Sequence, residues 1–322
     1  MDLLRRWLPG PDIAVFHTFR APPYGGGNQF LLGLIKELKR KGLDARASSG
    51  IGRRTRACLF NSFNFESEDL VPASFTRCRK VHRVDGPIGL YRGTDDEVDR
   101  KIWSFNQTFA DATVFQSNYS LKAHEALGLD FRSPVVIPNA VDPEIFHAKG
   151  GLPRDPRRKV RLISTSWSDN PAKGAATYKW LEERLDWTRF EYTFVGRSPI
   201  TFDRIRTLPP VDSATLAGIL RQHDVYVTAS RNDACSNALL EALACGLPAL
   251  AVRSGGNPEL VGQGGALFAG TEDLVERLDE VVSDYERRRE SIRLVSLSEV
   301  ADRYIDVLFP PALGGTKGLL HR

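Results

Sequence analysis

The 322-residue chain is predicted to be an α/β protein: two doubly wound, Rossmann-like domains that face each other across a cleft. Three observations predict this. Short β-branched runs alternate with stretches of helical period along the sequence, the pattern of parallel sheets wound in right-handed crossovers. The stretch Gly150-Gly151-Leu152-Pro153-Arg154-Asp155-Pro156-Arg157-Arg158-Lys159 offers little to pack and divides the chain almost in half, so it reads as a linker. The length corresponds to two domains at roughly 150 residues each. The expected organisation is an N-terminal domain over 1–150, a linker over 151–159, a C-terminal domain over 160–300, and a tail over 301–322 that packs back across the junction.

In the first half, residues 13–16 read as a strand and 22–27 as a glycine-rich loop. A helix follows, with Phe30, Leu31, Leu34, Ile35 and Leu38 on its apolar face and Gly42 beyond its end. Further strands are expected at 57–60, 80–84, 112–115 and 134–137. In the second half, 160–164, 190–195, 225–228 and 249–252 read as strands. Helices are expected at 213–222, 236–244, 271–284 and 297–308, and Gly246 with Pro248 stops the second of these.

Composition excludes several classes. Hydrophobic residues make up 42% and charged residues 26%, ordinary for a globular protein. With 27 Gly and 19 Pro the chain is neither collagen-like nor low-complexity. No apolar run approaches the roughly 18 residues of a membrane-spanning helix. The first ten residues are too briefly apolar, and too interrupted by Arg5 and Arg6, to read as a secretory signal, so a cytoplasmic location is expected. Cys58, Cys78, Cys235 and Cys245 show no Cys-x-x-Cys spacing, which argues against a disulfide scaffold and a zinc site. Lys and Arg number 44 against 40 Asp and Glu, a formal charge of +4, and all of the excess lies within residues 1–152, a hint of an anionic partner for that half. Basic clusters at 53–56, 77–83 and 287–289 read as solvated faces, with weak peripheral contact to anionic lipid as the other reading. Aromatics are not interleaved with them, so no nucleic-acid partner is expected.

The segment from Ser230 to Pro248 carries the chemistry. A strand ends near Ser230, a short loop follows, and a helix begins near Ser236. Backbone N–H groups and a positive helix end at the top of a sheet make an anion site. Asp233 precedes the amides of Ala234, Cys235, Ser236 and Asn237, and Glu241 follows two turns later. One carboxylate on each side of an amide cluster suits a ligand with hydroxyls on both sides of a diphosphate, as in a nucleotide sugar. The other reading is that Asp233 only caps the helix and Glu241 sits on a solvated face.

Asp233-x7-Glu241 followed by Ala242-Leu243-Ala244-Cys245-Gly246-Leu247-Pro248 resembles the Glu-x7-Glu signature of family 4 glycosyltransferases, which have the GT-B fold. Other segments resemble that family in the same order: the Gly25-Gly26-Gly27 loop, Val136-Ile137-Pro138-Asn139-Ala140-Val141-Asp142, Lys173-Gly174, Phe194-Val195-Gly196-Arg197 and Gly255-Gly256-Asn257-Pro258-Glu259. Four positions depart from its pattern. The first acid is Asp233, Ala234 and Ser236 replace glycines, and Ser168 stands where an arginine is usual.

The resemblance implies a retaining, metal-independent glycosyltransferase with a nucleoside diphosphate sugar as donor substrate, no cofactor, and a hydroxyl-bearing acceptor. It implies that Glu241 binds ribose hydroxyls, that Lys173, Arg197 and the amides of 234–237 hold the diphosphate, and that Asp233 contacts the transferred sugar. Ser168 and Asn170 would donate hydrogen bonds in place of the missing arginine, Gly26 would approach the donor, and Val211 would hold the base. On the acceptor side, His82, Arg83 and Asp85 follow or end a predicted strand, where α/β sheets place ligands, and Arg92 lies nearby. The alternative reading is a degenerate nucleotide- or glycan-binding module without turnover.

Overall fold

The strands pair in parallel into two separate sheets in the computed structural model, which describes residues 10–20, 26–47, 50–65 and 78–311. The first sheet holds β1 (Ile13–Phe16), β2 (Ala45–Ala47), β3 (Ala57–Asn61), β4 (Arg79–Val84), β5 (Ala112–Phe115) and β6 (Pro134–Val136), in the order 2-1-3-4-5-6. The second holds β7 (Val160–Ser166), β8 (Phe190–Gly196), β9 (Arg206–Leu208), β10 (Val225–Thr228), β11 (Ala249–Val252) and β12 (Gly265–Phe268), in the order 12-11-10-7-8-9. Both orders reverse direction once, between β1 and β3 and between β7 and β10. In an open α/β sheet a ligand binds outside the C-terminal strand ends at such a reversal.

The first half carries helices α1 (Gly26–Arg40), α2 (Ile88–Arg92), α3 (Glu97–Phe109) and α4 (Asn118–Ala126). The second half carries α5 (Ala175–Arg184), α6 (Ser213–Leu220), α7 (Asn237–Ala244), α8 (Asn257–Val261), α9 (Thr271–Ser283), α10 (Tyr285–Glu290) and α11 (Leu297–Leu308). Phe30, Leu31, Leu34 and Leu38 of α1 pack on Ile13, Val15, Leu59 and Val81 of the first sheet. In the second domain, Leu274, Leu278 and Val281 of α9 share a core with Leu162, Phe194, Val227 and Leu250.

The two C-terminal helices go to different domains. α9 stays with the second sheet, whereas Leu297, Val300, Ala301, Tyr304 and Leu308 of α11 join the core of the first. Full burial of a large apolar side chain contributes about 1.5–3 kcal/mol, so α11 ties the two domains together. It starts from a capping box in which Ser296 Oγ accepts from the Glu299 amide and the Glu299 carboxylate accepts from the Ser296 amide.

Most predicted strands and helices are present, with ends shifted by one or two residues. Elements outside the sequence prediction have a physical signature. The buried face of α3 is Asp99, Ile102 and Asn106, and that of α5 is Ala175, Tyr178, Leu181 and Glu182. With Glu182 inside, α5 shows no strong apolar stripe, whereas Val98, Ile102, Phe105 and Phe109 of α3 do recur at helical spacing, a stripe outside the sequence prediction. The linker packs more than its composition suggests: the Arg158 guanidinium donates to both oxygens of buried Asp224, at 2.6 and 2.7 Å, and Arg154 donates to the Val282 carbonyl. Among the described residues no helix is long and apolar enough to cross a membrane. The leader before Gly10, the loop at 22–25, Arg77 and the tail beyond 311 lie outside the described residues.

Candidate functional site

The C-terminal ends of β7 and β10, at the reversal of the second sheet, open into a cleft of about 420 Å³ shared with the first domain. Ser168, Lys173, Asp233 and the run from Ala234 to Asn237 line it from the second domain, with Glu241 behind them. Gly26, Asp85, Gly86 and Gln116 line it from the first.

Local sequence shapes each wall. After β7, Ser166 Oγ accepts from the Ser168 amide at 3.3 Å and Ser168 Oγ from the Asn170 amide at 3.2 Å. Asn170 Oδ1 then caps the short turn Pro171–Lys173 through the Ala172 amide, 2.9 Å away. Gly174 has φ +81 and lies against Ala229 with no room for a Cβ, which sets the direction in which the adjoining Lys173 leaves the turn. The loop after β10 is braced from outside. The Gly256 amide donates to Asp233 O at 2.8 Å, and Asn257 Nδ2 donates to Ser230 O at 3.0 Å. Gly255 and Gly256 lie against the backbone of Asp233 and Ala234 too closely for any side chain. This explains the glycine pair in structural terms.

Ser236 is the N-cap of α7, its Oγ accepting from the Leu239 amide. Asp233 therefore does not cap the helix. Its Oδ2 lies 2.9 Å from Lys173 Nζ, and that ammonium sits 5.3 Å from the centre of the Tyr91 ring. Burial works against the Lys173 charge, but Asp233 and Tyr91 outweigh it and hold the ammonium protonated well above the ordinary lysine range.

Glu241 differs. It is 8% exposed, and its carboxyl has no hydrogen-bond partner among the described residues. Burial pushes its pKa up to about 8. It is not on a solvated face: it lines both the cleft and an adjoining pocket of about 140 Å³ that includes Ser213, Lys36 and Asp142. A buried carboxyl left without partners is costly unless a ligand supplies them.

The first-domain wall is a polar relay. Asp85 Oδ1 accepts from Arg83 Nη1 at 3.1 Å and from Gln116 Nε2, and Oδ2 accepts from Ser62 Oγ at 3.1 Å. Buried Arg83 also donates to Asn61 and, at 2.8 Å, to Asn139 Oδ1. Asn139 Nδ2 donates across the domain junction to Asn237 Oδ1 at 3.1 Å. Gly26 abuts the Asn237 side chain where a Cβ would clash. The Ala234 methyl fits because the residue facing it is Gly86.

Six predicted site residues do not line the cleft. His82 is fully buried in the first domain and stacked on Phe60. Its Nε2 donates to Ser62 O and its Nδ1 accepts from Asn106, while burial lowers its pKa to about 4, so it is a neutral core group and no acceptor contact. Arg83 sits behind Asp85 and positions it. Exposed Arg92 lies over the Phe63 ring, 5.9 Å from its centre. Exposed Arg197 donates to Trp167 O at 2.7 Å and so braces the loop after β7. Val211 packs among the apolar groups around Leu216 and Leu239. Asn170 bridges the domains: besides its capping bond, its Nδ2 donates to Tyr91 O at 3.2 Å, which commits one of its two amide hydrogens.

The sequence reading missed Tyr91, Gln116 and Trp167 as cleft residues, and Asn139 and Glu259 as groups that join the domains. Glu259 of α8 accepts from the amides of Asn118 and Tyr119 at 2.9 and 2.8 Å, and so caps α4 of the other domain. Asn139 and Glu259 lie inside quoted motifs, which was the available signal.

Comparison with known proteins finds likenesses in sequence family and in fold. The family described as glycosyl transferases group 1 matches residues 182–284. A D-inositol 3-phosphate glycosyltransferase from Actinosynnema mirum is 30% identical over 49% of this chain and 36% of its own length. The sulfoquinovosyl transferase SQD2 of Arabidopsis thaliana is 32% identical over 63% of this chain and 44% of its own. The chain thus spans well under two thirds of either relative. Among solved structures, the catalytic domain of starch synthase IV from Arabidopsis thaliana, bound to ADP and acarbose, superposes with a TM-score of 0.72 at 13% identity, over 93% of this chain and 99% of that one. That likeness is one of fold.

Proposed function

We propose that this chain, whose residues 182–284 match the group 1 glycosyl transferases and whose two domains have the GT-B fold, is a glycosyltransferase that moves a sugar from a nucleoside diphosphate sugar to a hydroxyl acceptor, with retention and without a metal. The observation that carries this reading is the pairing, in one cleft, of an unpartnered buried carboxyl at Glu241 with a charged Lys173 beside the N-terminal amides of α7.

In this mechanism Glu241 accepts from ribose hydroxyls of the donor. Lys173, the Ser168 hydroxyl and the α7 amides hold the diphosphate, where they stabilise the charge that grows as the bond from the sugar C1 to phosphate oxygen breaks. Asp233 faces the transferred sugar. Asp85, fixed by Arg83, Gln116 and Ser62, orients the acceptor hydroxyl from the opposite wall. The new C1–oxygen bond forms on the face the phosphate leaves, and the acceptor proton passes to the departing phosphate oxygen, so no separate base is required.

A screen of nucleotides by thermal shift, followed by transfer assays with nucleotide sugars, tests the reading. A nucleoside diphosphate that binds only the folded chain raises its melting temperature, and Glu241→Ala removes that rise. Turnover with any donor–acceptor pair supports transfer. Binding without nucleotide release across donors and acceptors supports the alternative of a binding module, and absence of any nucleotide binding overturns both.

A further inference from the structure

Four cysteines are buried, and two of them face each other. Cys58 is the second residue of β3, and Cys78 lies on the bend just before β4. They are twenty residues apart in sequence, yet their sulfurs are 3.1 Å apart. A disulfide bond is about 2.05 Å long, so a shift of about 1 Å closes the gap. Ala14, Phe16, Phe60 and Ala110 surround the pair. Cys235 and Cys245 have no facing thiol among the described residues.

We propose that Cys58 and Cys78 are a modification site, a dithiol that a peroxide converts reversibly into an intramolecular disulfide. The geometry assigns the roles. Either sulfur can donate across the 3.1 Å contact; with Cys58 as donor the bond favours a thiolate at Cys78, and Lys80 places its ammonium beside this end of β4, with Nζ 3.3 Å from Cys78 O and 3.3 Å from Asp111. That hydrogen bond lowers the Cys78 pKa against the burial that raises it, with a smaller lowering from Lys80, whereas burial raises that of Cys58.

The Cys78 thiolate attacks one peroxide oxygen, the O–O bond breaks, and hydroxide leaves to take up a proton as water. The resulting sulfenic acid is attacked by the Cys58 sulfur. The S–S bond forms as the S–O bond breaks, and the hydroxyl leaves with the Cys58 proton as a second water. Two thiols lose two electrons and the peroxide gains them. The pair lies at the N-terminal ends of β3 and β4, opposite the strand ends that carry Ser62 and Asp85. The disulfide therefore acts on the stability of the first domain and not on the chemistry of the cleft.

The test exposes the folded chain to hydrogen peroxide, unfolds it, alkylates the remaining thiols and maps the peptides. The expected result is a species two hydrogens lighter in which a cross-linked peptide joins Cys58 to Cys78, while Cys235 and Cys245 remain alkylated. The oxidised form melts several degrees higher, and dithiothreitol reverses the shift. In Cys58→Ser, checked for folding by circular dichroism, Cys78 forms a sulfenic acid trapped by dimedone and then over-oxidises. Because the wild-type map stands alone, failure of that variant to fold leaves the test intact. Full alkylation of both cysteines after peroxide, cross-links to other cysteines, or sulfonic acid at Cys78 without a disulfide in the wild type overturns the proposal.

Discussion

Lys173 Nζ and Asp233 Oδ2 form an ion pair at 2.9 Å inside the cleft, between the loop that leaves β7 and the loop that leaves β10. The pair spans the reversal of strand order in the second sheet, so it sits where two loops diverge and a ligand can enter. Asp233 holds the ammonium in place before any donor arrives.

Removing either partner separates their roles. Lys173→Ala leaves the Asp233 carboxylate facing an incoming diphosphate without its counter-charge. A hydrogen bond to a charged group contributes about 1.5–3 kcal/mol, so nucleotide affinity is expected to fall roughly ten- to hundredfold. Asp233→Asn keeps the shape and is expected to lower kcat more than it weakens nucleotide binding. Calorimetry with a nucleoside diphosphate, set beside steady-state rates, checks both. Equal affinity in wild type and Lys173→Ala removes Lys173 from the diphosphate site.

Glu241 gives the protein a pH dependence of defined sign. Its pKa rises from the ordinary 4.5 to about 8 because the carboxyl is buried. As pH rises, the unfolded chain loses this proton before the folded one does. The stability contributed by the protonated carboxyl is thus complete below about pH 4.5 and is lost as pH climbs to about 8. Glu241→Gln is expected to melt progressively higher than wild type across that window and to hold a constant lead above it. At one pKa unit per roughly 1.4 kcal/mol, that lead is at most about 4–5 kcal/mol. Parallel melting curves over the whole window would falsify the assignment. A donor whose hydroxyls need the carboxylate is also expected to release a proton on binding near pH 7, measurable by calorimetry in buffers of different ionisation enthalpy.

Glu259 caps a helix in the other domain. Glu259→Ala leaves the amides of Asn118 and Tyr119 without their acceptor. Loss of a cap costs about 0.5–2 kcal/mol. The expected outcome is a melting temperature lower by a few degrees, together with a larger radius of gyration as the domains part. Small-angle scattering that does not change rules out a bracing role.

Arg83 is a positioning residue. Arg83→Met leaves Asp85, Asn61 and Asn139 each short of a donor in a buried setting. Breaking a buried charged contact in this way costs about 3–5 kcal/mol. Lys is not expected to rescue, since a single ammonium lacks the planar fork that serves Asn61 and Asn139 at once. Chemical denaturation gives the measurement, and Arg83→Lys with wild-type stability contradicts the relay.

Local pattern alone determined the parallel α/β class, the near-central linker, the helix carrying Glu241 and the loops carrying Lys173 and Asp233. The reason is that strand runs, caps and glycine stops act over a few residues and leave their period in the chain. Tertiary structure alone decided which polar groups meet. His82 and Asp85 lie on one short segment, yet one is sealed in a core against Phe60 and the other faces the cleft. Asn139 reaches Asn237, Glu259 reaches α4, and α11 crosses to the first domain only because the two sheets are set face to face. The polar buried face of α5 hid that helix for the same reason: Glu182 accepts from the amides of Arg204 and Ile205, well beyond the helix, and a hydrogen bond to a distant residue has no period to read.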